Sequence, residues 1–371
     1  MWLSTVFTFI FESGVNAVSK PFHSFLFILA FAVFSFAQTA PKPTPTPAPV
    51  IEDDGEVIKV NSKLVTVPVS VTDLQGAPVT GLKVSDFSLL EENRQQTLDQ
   101  LNAADEVPLE IALLIDISSS VDPMFDMEKL AAAKFLRDVM RPSDRASIFT
   151  VGSTPYLLLP RDTAEKAGEK ITSVVAQRKS TAFYDSIITA ADYLQKNAPP
   201  TSRKVIVIIS DGDDSSSEVM QNIMAKTDAL ITKQIDTLSQ KKLKEILMSA
   251  RTDARSQVQS KLSRTMQNGD VVFYSLNPAG NSYHLNVISQ FGQETMKIFA
   301  DQTGGAAFLL KKPEDLDQIF RQLTNELRAQ YLLQYYTDTD YPVGRYVNLK
   351  VSVPGRTTGV RVRARQGYYV K

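Results

Sequence analysis

Two periodicities divide this chain. Near the amino-terminal side, Val65, Val67, Val69 and Val71 alternate with Thr66, Pro68, Ser70 and Thr72, the period of two that marks a half-buried strand. Pro68 places that strand at a sheet edge, because proline has no amide to give to a ladder. Asp73-Leu-Gln-Gly76 reads as a turn, Val84–Glu91 as a second strand, and Asn93 as the turn after it. The same alternation returns at the far end in Tyr331–Tyr336, Arg345–Val353, Gly359–Arg365 and Gly367–Val370. A few strands cannot close a core by themselves. The expectation is therefore one small β-sandwich-like module built from both ends of the chain; two separate β units are the alternative.

Between these flanks the pattern changes. Short uninterrupted apolar runs, the mark of strands buried on both faces, alternate with helical spacing. A strand at 110–116 leads to a helix with apolar Met127, Leu130, Ala131, Phe135 and Val139, stopped at Pro142-Ser143. Strands follow near 146–151 and 156–160, then helices near 163–176 and 183–197 and a strand at 204–210. Strands at 270–275 and 306–310, with helices near 292–303 and 313–330, complete the series. Such alternation predicts an α/β fold, a doubly wound and mostly parallel sheet.

Residues 215–268 interrupt that rhythm. Ser215-x-x-Glu218 has the form of a capping box, Asn268-Gly269 closes a helix, and neither Gly nor Pro lies between. One helix of that length would run roughly 75–80 Å, far more than a sheet crossover needs. The chain is expected to turn back near Thr237 to Gln240, with Ser239 as a new N-cap. An outward helix of about 20 residues and a return of about 28 differ by roughly 12 Å, so the longer return doubles as the crossover. Ile231, Ile235, Leu238, Leu243, Ile246 and Leu247 are the candidate seam; a solvated decoration without a partner is the alternative.

With 371 residues, 43% of them hydrophobic, the chain has ample material for a core plus an additional module. Its 40 basic and 41 acidic residues leave a net charge of −1, with no electrostatic footprint for nucleic acid. Lys20, the apolar run Phe25–Phe34 and the small residues at Ser35 and Ala37 form an export signal. Cleavage is expected after Ala37, since about a dozen apolar residues fall short of the roughly 20 that span a bilayer. The chain would then be secreted or held in the periplasm or cell envelope, with no membrane span left. There is no Cys, so neither a lipid anchor at the cleavage point nor a disulfide is available. Ala40–Pro49 is a Pro-rich, extended spacer. The organisation that follows is a signal at 1–37, a spacer at 38–55, N-terminal β structure at 56–104, an α/β domain at 105–330 containing the 215–268 insertion, and C-terminal strands at 331–371.

The chemistry sits at strand ends. Ile111–Ile115 runs into Asp116-Ile-Ser118-Ser-Ser120, and Val205–Ile209 runs into Ser210-Asp211-Gly212. Thr181 stands in a loop just ahead of a helical pattern. Open α/β sheets place ligands at such carboxyl ends. Two carboxylates and three hydroxyls are hard oxygen donors, suited to Mg²⁺ or Mn²⁺ rather than zinc. An ordinary set of caps and turns is the plainer reading of each motif alone.

In order and local context the three motifs together resemble the von Willebrand factor type A domain, whose metal-ion-dependent adhesion site uses Asp-x-Ser-x-Ser, a Thr from a second loop and an Asp from a third. The resemblance implies that Asp116, Ser118, Ser120, Thr181 and Asp211 hold the metal. Ser180 stands where relatives often carry Gly, a change that removes no ligand. The flanks, with Val65–Phe87 and the closing Val-Arg-Ala-Arg-Gln-Gly-Tyr, resemble the VWFA-related domain proteins of Acidobacteria, which implies architecture and export but no substrate.

The expected function is an exported, non-catalytic binding or adhesion module whose protein partner donates an Asp or Glu to the metal. Asp122, Asp213 and Asp214 are candidates to tune the site, or solvated loop acids. A Mg²⁺-dependent hydrolase is the main competitor. It lacks an evident base, since His284 is the one His beyond the leader, and it lacks a phosphate loop. A structural envelope protein with a vestigial site is the third reading.

Overall fold

The computed structural model describes residues 63–371 except 119–122, 178–179, 235–238, 281–286, 313–314 and 357. The expected signal and spacer lie outside the described residues, as do Ser120, Asp122 and His284.

The chain begins with β1 (Lys63–Asp73), β2 (Ser88–Glu91), β3 (Arg94–Gln95) and β4 (Gln100–Ala103). The α/β part follows: β5 (Leu109–Asp116), α1 (Pro123–Val139), β6 (Arg145–Val151), β7 (Pro155–Asp162), α2 (Ala164–Thr172), α3 (Phe183–Asn197) and β8 (Arg203–Ile209). Then come α4 (Glu218–Gln234), α5 (Gln240–Asn268), β9 (Val271–Asn277), α6 (Val287–Thr303), β10 (Ala306–Leu309) and α7 (Asp315–Arg328). The chain ends with β11 (Tyr331–Thr337), β12 (Tyr346–Ser352), β13 (Val360–Ala364) and β14 (Gly367–Tyr369).

The central sheet has six strands in the order β10-β9-β8-β5-β6-β7. All neighbours are parallel except β7, which runs antiparallel to β6. Alternation along β5 feeds two cores. Ile111 and Leu113 pack with Phe135, Leu136, Ala167, Phe320 and Leu323, whereas Ala112 and Leu114 pack with Phe183, Ile187, Val258, Leu262 and Phe299. Helices α1, α2 and α7 therefore cover one face and α3, α5 and α6 the other, which is why the strands read as unbroken apolar runs. On α1 the buried stripe runs through Phe125, Ala132, Phe135 and Leu136, while Met127 and Leu130 are 45% and 63% exposed. The expectation that those two residues share the apolar face is corrected.

Strands from both ends of the chain form two antiparallel sheets, β13-β1-β11-β4 and β14-β12-β2-β3. Val67 and Val69 of one face Leu89 and Leu349 of the other around buried Tyr335. The second strand is shorter than expected: residues 84–86 form a 3-10 turn and only Ser88–Glu91 pair. Glu92 and Asn93 both adopt positive φ, as a two-residue hairpin into β3 requires. The expected edge position of β1 is also corrected. The strand is interior, but β13 begins to pair at Val69, so the half that contains Pro68 is flanked by β11 alone. The missing proline amide is tolerated at a local edge.

A buried polar chain joins the two parts. Gln330 Nε2 donates to Ser70 Oγ at 3.2 Å and to the Tyr274 hydroxyl at 3.1 Å. Tyr274 donates to Glu326 at 3.0 Å, and Arg363 of β13 pairs with the same carboxylate.

The insertion is a pair of helices. Their lengths of 17 and 29 residues are more unequal than expected, a difference of about 18 Å at 1.5 Å per residue. Ser239 is the N-cap of α5, its hydroxyl accepting from Lys242 N at 3.3 Å. The buried residues of α5 all fall in its second half, from Ala254 to Gln267, so that half is the crossover and the first half projects. Of the expected seam, Ile231 is buried, Leu243, Ile246 and Leu247 are half-buried, and Ile235 and Leu238 lie outside the described residues. The helix closes at Asn268 as expected, but the left-handed residue is Asp270 rather than Gly269. Among the described residues no helix is long and apolar enough to cross a membrane.

Candidate metal centre

From β5 the chain crosses to β6 on one side and later reaches β8 on the other. The crevice between the carboxyl ends of β5 and β8 is thus the topological switch point, where open α/β sheets bind ligands. Asp116 is the last residue of β5. Pairing of Ile115 with Ile209 sets it beside Ser210. Its side chain is fixed from two directions: Oδ1 accepts from Ser118 N at 2.9 Å, and Oδ2 accepts from Ser210 Oγ at 2.7 Å. Asp116 is only 5% exposed, and Ser118 is half-buried.

Asp211 leaves the neighbouring strand into a sharp turn. Its Oδ1 accepts from Asp213 N at 3.0 Å, and its carbonyl accepts from Asn277 Nδ2 at 3.4 Å. Gly212 has φ +82°, and a Cβ on Gly292 of α6 would lie 2.5 Å from the Gly212 carbonyl. Backbone-to-backbone packing therefore holds the Asp211 loop, and only glycine permits it.

Thr181 is buried and clamped from both sides. Its amide donates to Ser215 Oγ at 2.8 Å, and its carbonyl accepts from Ser215 N and Ser216 N at 2.9 and 3.1 Å. The adjacent Ala182 N donates to Gly152 O, just beyond β6, at 2.6 Å. Of the five expected ligands, Asp116, Ser118, Thr181 and Asp211 are carried to one edge of the sheet on three interlocked loops.

Burial pushes the Asp116 carboxyl above the usual carboxylate range. Hydrogen bonds from Ser118 and Ser210 oppose that, and the charge of Asp211 adds to it. Among the described residues neither Asp116 nor Asp211 forms an ion pair. Two carboxylates with no cationic partner, edged by hydroxyls, suit a divalent cation with hard-oxygen preference. No three His, Cys, Asp or Glu side chains gather as a metal cluster among the described residues. A cation held here therefore draws on hydroxyls as well as on the two acids.

Several supports escape sequence reasoning. Ser210 is the residue before the expected Asp211, yet its role depends on which strand lies beside it. The Ser215-x-x-Glu218 capping box does not form as expected: Ser215 Oγ holds Thr181. The first amides of α4 are capped instead by Asp185 of α3, which accepts from Glu218 N at 2.5 Å and Val219 N at 3.2 Å. Asp214 is not a solvated acid; it accepts from Tyr184 N at 3.4 Å and from Ser217 Oγ, and burial raises its pKa. A long-range cap from Asp185 leaves no local signal, whereas acids near a helix start are a readable one.

The family model of the von Willebrand factor type A domain matches residues 111–213, which span β5 to the Asp211 loop. No curated protein matches the chain. Among solved structures, an aerotolerance-related membrane protein from Bacteroides fragilis is 14% identical, over 59% of this chain and 98% of its own, with a TM-score of 0.38. The von Willebrand factor domain of the type V pili tip protein Mfa5 from Porphyromonas gingivalis is 12% identical over 59% and 94%, with a TM-score of 0.39. Proximal thread matrix protein 1 from the mussel byssus, with a zinc-occupied MIDAS motif, is 13% identical over 62% of this chain and 48% of its own, with a TM-score of 0.40.

Proposed function

We propose that this chain, which carries a von Willebrand factor type A domain at residues 111–213, is an exported, non-catalytic binding protein that engages a partner through a divalent cation. Asp116, Ser118, Ser120, Thr181 and Asp211 would hold one Mg²⁺ or Mn²⁺. When bound, the ion supplies an electrophilic coordination position that an Asp or Glu of a partner protein fills. The observation that carries this reading is the buried Asp116 beside Asp211 at the switch point, with no ion-pair partner for either among the described residues.

The chain's own residues do the positioning. Ser210 and the Ser118 amide fix both oxygens of Asp116. The Gly212–Gly292 contact fixes the turn that carries Asp211, and Ser215 ties Thr181 to the same turn. Helix α4 starts from this loop at Glu218, so the projecting helices stand beside the site and extend the surface that selects a partner.

Binding of the cation to the folded state alone stabilises it by about 2.7 kcal/mol at a hundredfold excess over the dissociation constant. The partner is sought by pull-down from an envelope fraction with Mg²⁺ and with chelator. Capture should require the metal and disappear in the Asp116→Ala, Asp211→Ala double variant. Replacing residues 219–250 by a short turn should weaken or redirect capture while the metal response persists. Metal-dependent hydrolysis of a phosphate ester, lost in the double variant, would make the chain an enzyme instead. Export is tested by intact mass: a native chain beginning near Gln38 supports it, and one retaining Phe25–Phe36 contradicts it.

A further inference from the structure

We infer that the opposite, amino-terminal edge of the α/β sheet carries a second ligand site, a cleft that takes an organic anion with a carboxylate head and an apolar body. The cleft has a volume of about 430 Å³ and lies between the amino ends of β8 and β9 and the strands β1 and β11. That volume falls within the roughly 300–1,000 Å³ typical of small-molecule sites. None of Asp116, Ser118, Thr181 or Asp211 lines it. At about 3.3 Å per residue, the length of β8 separates it from the metal centre by roughly 20 Å.

Its charge is lopsided. Among the described residues, Lys63, Arg203, Lys204, Arg365 and Lys371 line the cleft, with Asp270 and Asp340 as its acids. Asp270 is already engaged by two cations, Arg365 and Lys371, each at 2.7 Å. Lys204 is 6% exposed, and neither it nor Arg203 has an ion-pair partner among the described residues. Arg203 spends its guanidinium on the neutral Leu327 carbonyl at 2.8 Å and Gln330 Oε1 at 3.2 Å. The Nε atoms of Arg203 and Arg365 are buried without hydrogen-bond partners.

Burying a cation without a counter-ion is costly, and the cost is recovered when an anion arrives. Burial pushes the Arg203 pKa down to about 10 against the opposing charge of Asp144, and lowers that of Lys204 against that of Asp270. The rest of the wall is apolar, with Leu64, Val205, Val272, Leu332 and Tyr368 among its members. A free inorganic anion would leave that wall wet, and a neutral apolar molecule would leave Lys204 unpaired. An amphipathic carboxylate satisfies both.

The test is calorimetric titration of the full chain with decanoate, acetate and 1-decanol. Decanoate should bind one to one, at least tenfold tighter than either of the others, and Lys204→Met should weaken it at least tenfold without changing decanol. A second measurement needs no variant. The carboxyl of ¹³C-labelled decanoate, followed by NMR, should stay ionised on the protein at a pH where free decanoate is protonated. No saturable binding, equal binding of decanol, an unaffected Lys204→Met variant, or a bound carboxyl that titrates at or above its free value would each overturn the proposal.

Discussion

Strand β8 is seven residues long and has opposite chemistry at its two ends. It opens on Arg203-Lys204 and runs into Ser210-Asp211. At the carboxyl end, Asp211 faces the buried Asp116, and the surroundings are hydroxyls and loop amides. At the amino end, Lys204 and Arg203 line a cleft in which one acid, Asp270, is shared by two other cations. The interior of the strand, Val205 to Ile209, is buried and keeps the ends apart. Each end concentrates one sign of charge where the fold gives it little compensation. Local violations of folding logic of this kind are expected at functional or strained sites. The ends differ in access. The amino end is roofed by the sandwich, whereas the carboxyl end is ringed by loops and a projecting pair of helices.

The largest effect should come from loosening the roof. Glu326 is buried between Arg363 and Tyr274, so Glu326→Ala leaves a half-buried guanidinium unpaired and the Tyr274 hydroxyl without its acceptor. It should cost about 3 kcal/mol in chemical denaturation, the low end for breaking a buried pair, whereas the metal-induced shift in melting temperature should survive in whatever fraction folds. Next, Gly292→Ala pushes a methyl into the Gly212 carbonyl and should cost about 1–3 kcal/mol, the range for overpacking. It should also weaken the metal response, since it displaces the turn that bears Asp211; loss of stability with an unchanged metal response would detach that packing from the site.

Lys204→Met addresses the amino end with the opposite sign. Removing a desolvated, unpaired cation should raise stability by about 1 kcal/mol, as measured with no added anion. The fold lowers the Lys204 pKa, so the unfolded chain holds that proton more tightly. The lysine's cost is therefore full below the folded-state pKa and fades as pH climbs towards the ordinary lysine value. The stability gap between the variant and the unaltered protein should narrow over that interval; a gap independent of pH would point to packing instead. The smallest effect is expected at Ser239→Ala, which removes the α5 cap. It should cost about 0.5–1 kcal/mol locally, visible as faster amide exchange at the start of α5 with little change in global melting.

Much of this contrast is legible in the sequence. Unbroken apolar runs announced strands covered on both faces, and Asp116, Thr181 and Asp211 stood out because each follows a strand or precedes a helix. The need for a reversal follows from length, and its place at Ser239 from that residue's suitability as an N-cap. What was hidden depends on pairing across the sheet. Ser210 matters because β8 lies beside β5, and Asp185 caps a helix that begins far along the chain. Pro68 was legible as an edge residue but not as a local edge within an interior strand. Nothing in Arg203-Lys204 announced a cleft, because the wall opposite comes from β1 and β11, at the two ends of the chain.

The central claim is that the carboxyl end of β8 holds a divalent cation which relieves the charge on Asp116 and Asp211. Thermal unfolding of the unaltered protein and of Asp116→Asn, each in chelator and in excess Mg²⁺, tests it directly. The unaltered protein should melt higher in Mg²⁺. The variant should melt at or above the unaltered protein in chelator, because a buried charge is gone, and should not respond to Mg²⁺. A variant that melts lower in chelator and still rises with Mg²⁺ as far as the unaltered protein does would contradict the account.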